Sequence, residues 1–434
     1  MSAKKRILNI LFWSVVSAAF IGPGTITTAA KSGSAFGTGL LWALLFSTLA
    51  CLLLQEAAAR LTMISGKNLG QAIVHQFEKS RAKIPVLLLV LGAIVVGAAA
   101  YEMGNLLGAV AGLRLIVDLP AWLLVLLIGA VAAIILSIPS LKIISTIMGF
   151  AVVIMGIGFL IAAVLIRPEI SEVLKGIFIP RLPSSSEASV LVLGLIGTTI
   201  VPYNLFLGSG ISTQNQSIKE MRFGLAVAIL LGGLFSMAVL IVGTAVVSEF
   251  SFESLSLALQ KKIGPAGKYL LGFGLFAAGF TSAVTAPLAA AITLKSLFGN
   301  KNPGKWKTGS LNFKSGWLLV LLIGIGFAAS NVKPIPAIIL AQAFNGFLLP
   351  FVSIFLFIVI NNRNITGHPS SSLLPNLLMM IVIFITLILG LNSAAKAFYS
   401  AFIPNYVPGK ELLWGTGVLA FLISGWVWMK GKRK

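Results

Sequence analysis

The sequence predicts an all-α polytopic membrane protein of about twelve transmembrane helices, built as a five-plus-five inverted repeat with broken helices 1 and 6 and two helices added at the end. Three observations predict it. Hydrophobic residues make up 58% of the 434 positions and charged residues only 10%, and the mean hydropathy is +1.01, values that exclude a water-soluble globular fold. Apolar runs long enough to cross a bilayer recur along the chain. Two of these runs, five apart, carry helix-weakening residues at matching places: Gly22-Pro23-Gly24-Thr25 in the first and Gly197-Thr198-Thr199-Ile200-Val201-Pro202-Tyr203-Asn204 in the sixth.

By the span-length criterion the runs fall at roughly 8–30, 37–64, 84–112, 120–138, 142–166, 189–211, 223–248, 268–294, 315–330, 335–360, 372–395 and 411–430, the ninth being the shortest. They form one transmembrane domain over 1–434. Its first repeat covers about 8–166 and its second about 189–360, with about 372–430 added. The connections at 65–83, 167–188, 249–267 and 295–314 read as loops with short surface helices in places. In the third run Ala100, Gly104, Gly108 and Gly112 recur every fourth residue, a nearly side-chain-free face that lets a neighbouring helix approach closely.

A net charge of +21 would suit nucleic acid on a soluble surface, but here the basic residues lie between apolar runs and therefore report orientation. Clusters such as Lys4-Lys5-Arg6, Lys79-Ser80-Arg81, Lys305-Trp306-Lys307 and the final Lys430 to Lys434 segment fall on one side. That bias places both termini in the cytoplasm and the chain in the plasma (inner) membrane, with lipid as a partner and no nucleic acid. Lys4-Lys5-Arg6, an apolar run and Ser17-Ala18-Ala19 imitate a signal peptide, but the apolar character continues into a second span. The single cysteine, Cys51, excludes an intrachain disulfide and reads as packing.

Glycines around a proline free backbone N–H and C=O groups, which at membrane depth must be satisfied by protein, water or cargo. Paired breaks in corresponding halves point to a secondary transporter. No phosphate loop, nucleophile elbow or HExxH spacing occurs, so no enzyme and no cofactor is expected. His75 and His368 are assigned to solvent-exposed loops and form no metal pair.

Gly22-Pro23-Gly24-Thr25, Ser32-Gly33-Ser34-Ala35-Phe36-Gly37, Leu40-Leu41-Trp42, Leu53-Leu54-Gln55, Ala58-Ala59-Arg60-Leu61 and Gly66-Lys67-Asn68-Leu69 resemble, without a gap, the first two helices of the NRAMP divalent-metal transporters. Pro202 and Asn204 resemble that family's Met-Pro-His-Asn motif, and Glu102, Ser282, Thr285 and Gln342 are further matches. The resemblance implies the broken-helix fold of the leucine-transporter type, alternating access, and a divalent metal cation as cargo. It also implies ligands: Asp and Asn in the first helix, a Met thioether and a carbonyl in the sixth. In this chain those places hold Gly22, Thr25, Val201 and Thr198, and the family's sixth-helix His corresponds to Tyr203. What is left is hydroxyls and carbonyls, suited to a weakly bound, mostly hydrated ion rather than to tight manganese or iron binding.

The candidate substrate-binding residues are therefore Gly22, Gly24, Thr25, Thr198, Val201, Tyr203, Asn204 and Gln342; Thr25 and Thr198 are the metal candidates if a cation binds weakly. Glu102 is the candidate for coupling to protons or another cation. Asn204 is also expected to satisfy freed backbone, Tyr203 to gate the site or fill space, and Gln342 with Asn345 to line the pathway or join helices. Glu56 and Arg60 are expected to pair, and Lys31 to snorkel outward from the end of the first helix. Two alternative readings stand beside metal transport. A glycine-rich break beside a half-helix N-terminus also suits the carboxylate of a small amino acid or similar solute, and a non-transporting, sensor-like homologue is the third.

Overall fold

The computed structural model describes residues 3–432 apart from 139, 182, 184, 216, 300–301, 331, 368–371 and 403–409. His368 lies outside the described residues. The elements follow the apolar runs, and their interruptions sit where backbone chemistry demands them. Span 1 is the pair α1 (Ala3–Phe20) and α2 (Pro23–Phe36), bent by 60° at the glycine-proline break. Pro23 opens α2, where its missing N–H costs no helical hydrogen bond, and Gly22 takes the extended N-cap conformation. Span 2 is α3 (Leu41–Ser65), ended by Gly66 in the left-handed region at φ 70°, and the surface helix α4 (Leu69–Phe77) follows behind an Asn68 capping box.

Span 3 is α5 (Lys83–Leu91), a five-residue π-helical segment at Gly92–Val96 and α6 (Gly97–Arg114). Its periodicity predicts an uninterrupted helix; the π-turn is a tertiary feature of a kind found at functional sites. Span 4 is α7 (Ala121–Leu136) and span 5 is α8 (Leu141–Ile166), with surface helix α9 (Ile170–Phe178) after it. Span 6 is α10 (Ser186–Thr199) and α11 (Pro202–Ile211). Unlike span 1, these two stay collinear enough to form one 26-residue crossing. Span 7 is α12 (Ile218–Gly243); surface helix α13 (Phe252–Ile263) leads to span 8, α14 (Ala266–Phe298). Spans 9 to 12 are α15 (Leu311–Ala328), α16 (Pro334–Ile360), α18 (Leu373–Phe402) and α19 (Lys410–Lys432), with the single turn α17 (Arg363–Thr366) between α16 and α18.

The shortest span is the fourth, with 16 residues, rather than the ninth, with 18; Ser310 caps α15 five residues before the apolar run at 315–330 begins. Among the described residues ten helices are long and apolar enough to cross a membrane, eleven with the bent pair, and α7 is a shorter apolar helix. The start of α1 meets the start of α12 through Asn9 and Glu220, the end of α3 meets α12 through Glu56 and Arg222, and the end of α16 meets α4 through Asn362 and Gln76 and the end of α19 at Gly431; this end of the bundle is called the terminal side below. The first helix also extends further than its apolar run. Lys31 is therefore inside α2 rather than at its end, and its Nζ pairs with Glu187 at 3.0 Å, tying α2 to the start of α10. His75 sits exposed in the last turn of α4, not in a loop.

The core is the crossing of the two broken spans with α6, α14 and α16. The small face of span 3 does not meet one neighbour but three. Gly104 faces Ile338 of α16, Gly108 lies directly on Pro23 of α2, and Gly112 lies within 2.5 Å of the Gly272 carbonyl of α14, measured from where a side chain would start. The predicted packing face is thus one wall of the break itself.

Candidate functional site

At the C-terminal end of α1 the break frees carbonyl groups that no helical N–H can reach. Three of them, on Ala18, Ala19 and Phe20, are met by side chains from three other elements, and a further side chain reaches the Val16 carbonyl one turn earlier. Asn204 of α11 donates from Nδ2 to the Val16 carbonyl at 2.9 Å, and Ser282 of α14 donates to the Ala18 carbonyl at 3.1 Å. Tyr203 donates to the Ala19 carbonyl at 3.5 Å, and Thr25 of α2 donates to the Phe20 carbonyl. A buried carbonyl left without a donor costs about 1–3 kcal/mol, so these contacts hold the bend in place. Asn204 was expected to satisfy freed backbone; it bonds instead to Val16, one turn inside α1, and Tyr203 reaches the freed carbonyl of Ala19.

The Thr25 hydroxyl also lies 2.7 Å from that of Thr198, joining the two broken spans at their centres. Tyr101 of α6 donates towards Thr198, 3.5 Å from its carbonyl and 3.4 Å from its hydroxyl. The Tyr101 ring meets Tyr203 edge to face, with centroids 5.5 Å apart. Val201, the N-cap of α11 in extended conformation, presents no side-chain cap.

The two glycines of the break face different polar groups. A side chain begun at Gly22 would start 2.7 Å from Ser282 Oγ and 3.5 Å from Asn105 Oδ1, and one begun at Gly24 would fall onto the Gln342 amide. Asn105 in turn donates from Nδ2 to Glu102 Oε2 at 3.3 Å. The structure therefore brings Gly22, Gly24, Thr25, Thr198, Tyr203, Asn204 and Gln342 to one centre and connects Glu102 to it through Asn105. Asn345 diverges from Gln342, lying beside Gly97 at the start of α6.

Three members of the centre were not among the sequence candidates: Asn105, Ser282 and Tyr101. Asn105 carried a signal, since it stands one turn beyond Glu102, and Ser282 was visible only through family likeness. Tyr101 has no local mark that separates it from a core aromatic.

The centre is closed to solvent on both sides. Thr25, Glu102, Asn105, Thr198, Tyr203 and Asn204 are 0% exposed, and Val201 and Gln342 1%. Within it several buried acceptors have no partner: Glu102 Oε1, Asn105 Oδ1, Asn204 Oδ1 and Gln342 Oε1. Among the described residues, no group of three or more His, Cys, Asp or Glu side chains is placed to hold a metal. Glu56 and Arg60 do form the expected pair, at 3.1 Å, away from the break.

The family model for natural resistance-associated macrophage protein-like chains matches residues 14–396. The chain belongs to this family, Nramp. Among Nramp relatives, the divalent metal cation transporter MntH of Bacillus subtilis is 25% identical over 370 residues, covering 81% of this chain and 84% of that one. The manganese transporter of Eremococcus coleocola, solved with an aromatic bis-isothiourea substituted compound, superposes with a TM-score of 0.76 at 19% identity, over 99% of this chain and 96% of the other. The likeness extends at lower similarity to Mhp1, a nucleobase-cation-symport-1 family transporter solved with bromovinylhydantoin bound, with a TM-score of 0.56 at 17% identity over 96% and 92%. The fold is thus the five-plus-five broken-helix type shared by these transporters, and the chain is a multi-pass membrane protein.

Proposed function

We propose that this Nramp protein is an alternating-access secondary transporter whose cargo is a divalent cation carried with most of its water shell, in the manner of magnesium. One observation carries the reading: the centre offers four orphaned oxygen acceptors, on Glu102, Asn105, Asn204 and Gln342, while the positions expected to bear a carboxylate and a thioether hold Gly22 and Val201. Water molecules around a hard cation present O–H donors to such acceptors, and magnesium gives up that shell reluctantly. Iron gains from nitrogen or sulfur ligands and manganese from an anionic carboxylate directly on the ion, and Gly22, Thr25, Thr198 and Val201 at the breaks supply none of these. Thr25 and Thr198 face each other across the two half-helices and are placed to respond to cargo, and the cytoplasmic side is the terminal side, in the plasma membrane.

Calorimetric titration of the purified protein with magnesium, manganese and a panel of small amino acids tests the reading. Magnesium binding with little preference for manganese is expected. Manganese uptake into proteoliposomes with a low-micromolar constant would overturn it. Saturable binding of an amino acid, with no metal response, would favour the zwitterion reading, for which the N-terminus of α2 beside Gly22 supplies the positive end; no binding at all would favour a non-transporting homologue.

Glu102 is assigned the coupling role. It is the acid nearest the break and reaches it through Asn105, and an ionisable group at this depth is a functional candidate by its cost alone. Glu102→Gln keeps the shape and the hydrogen bond with Asn105 while removing the titratable proton. The expected result is uptake that no longer responds to an imposed pH gradient, with a fall of about a hundredfold at the most favourable pH, the lower end for a removed proton-transfer group. Unchanged acid-driven uptake would remove Glu102 from coupling.

A further inference from the structure

On the lipid-facing side of the bundle, a groove of about 710 Å³ runs between α3, α12 and α18, far from the break. Its wall is apolar, including Phe46, Leu49, Leu53, Leu378 and Ile381, and Leu49 and Ile381 are about half exposed. One end differs. There Glu56 accepts from Arg60 at 3.1 Å and from Arg222 at 2.8 Å, so two guanidinium groups share one carboxylate and the cluster keeps one net positive charge. Arg222 remains 57% exposed at its side chain, and Ser372 stands at the same end, just before α18.

The three helices agree on depth. Arg60 is near the end of α3, Arg222 near the start of α12 and Ser372 precedes α18, so all three polar groups lie on the terminal side. From Arg60 to Phe46 is fourteen residues of helix, about 21 Å at 1.5 Å per residue. Half a bilayer, headgroups included, is about 20–22 Å. The groove has the length of a single leaflet, apolar along the acyl depth and cationic at headgroup depth.

We propose that this groove is a binding site for an anionic glycerophospholipid of the terminal-side leaflet, one acyl chain lying along Leu49, Leu53 and Ile381 and the phosphate held by Arg222 and Arg60. Charge selects the occupant. A zwitterionic headgroup brings its own cation to the cluster, whereas an anionic one neutralises the surplus guanidinium, and Arg offers phosphate a two-pronged donor. The Glu56 carboxylate fixes both guanidinium groups, which lowers the ordering cost of binding.

The experiment uses the full chain in detergent. Its melting temperature is followed on adding phosphatidylglycerol, phosphatidylcholine of identical acyl chains, or free glycerol phosphate, and retained lipid is counted by native mass spectrometry. Phosphatidylglycerol is expected to raise the melting temperature by several degrees more than phosphatidylcholine, and glycerol phosphate to do nothing. Arg222→Gln is expected to weaken phosphatidylglycerol about fivefold, the worth of one basic residue at a membrane surface, and Arg222→Lys to keep most of it. Ala226→Trp, filling the groove, is expected to displace the retained lipid, and its count does not depend on Arg222 folding correctly. Equal effects of the two lipids, an unchanged affinity in Arg222→Gln, or lipid retained by Ala226→Trp would each overturn the site. A response to glycerol phosphate would assign the cluster to free phosphate instead and overturn it as well.

Discussion

Gly22→Asp is expected to lower stability on its own, and, together with Ser282→Ala, to create manganese binding that the proposed function does not expect of the native protein. The single change starts a side chain 2.7 Å from Ser282 Oγ and buries a charge with no cationic partner, at a cost of about 2.5–3.5 kcal/mol for an acid at the centre of a membrane helix. Removing the Ser282 hydroxyl makes room and releases the Ala18 carbonyl it now satisfies. That carbonyl and the new carboxylate are both hard oxygen ligands. Manganese at about a hundred times its dissociation constant would then restore about 2.7 kcal/mol by binding only the folded state. The melting temperature of the double variant should therefore rise with millimolar manganese, while that of the native chain stays flat. A manganese-dependent rise in the native chain at micromolar concentration would contradict a centre without transition-metal ligands.

The second large effect is expected at the crossing of α10 and α16. A methyl group on Gly197 would lie 2.9 Å from the Gly346 Cα and closer still to the Gln342 carbonyl and the Gly346 N–H. These are backbone atoms and cannot rotate away, so the helices must separate, at about 1–3 kcal/mol for overpacking. The gain in helix propensity from glycine to alanine, about 1 kcal/mol, runs the other way, and the steric term is the larger. Because Gln342 rides on the same turn and touches Gly24, a shift of α16 also opens the centre. Gly197→Ala is expected to lose several degrees of melting temperature and at least about tenfold in uptake. Gly326→Ala, on α15 with open space at the same position, is the control and should melt no lower than the native protein. Equal melting of the two variants would refute the close crossing.

Much of this molecule was legible in its sequence because membranes impose simple rules. Span length and hydropathy located the crossings, and Gly22-Pro23-Gly24 and Pro202 marked the places where helices cannot run through. Asn204 was readable as a backbone partner, although its carbonyl is that of Val16, one turn inside α1, rather than a freed one. Glu56 and Arg60 were readable because a spacing of four is one helical turn. Other features were not. The π-turn at Gly92–Val96 leaves no trace in an even apolar run, and Lys31 shows no sign of Glu187, which lies on another span.

The amino-acid sequence by itself determined that the chain is a broken-helix membrane protein and that Gly22, Gly24, Thr25, Thr198 and Val201 stand at the breaks, since residue type and local periodicity carry that information. Only the tertiary structure decided what surrounds them. Ser282, Asn105 and Gln342 come from three distant helices to surround two glycines, and three donors from three elements close the freed carbonyls at the end of α1. Those assignments depend on helix crossings, where atoms far apart in the chain meet within a hydrogen-bond length, and no local pattern encodes such a distance.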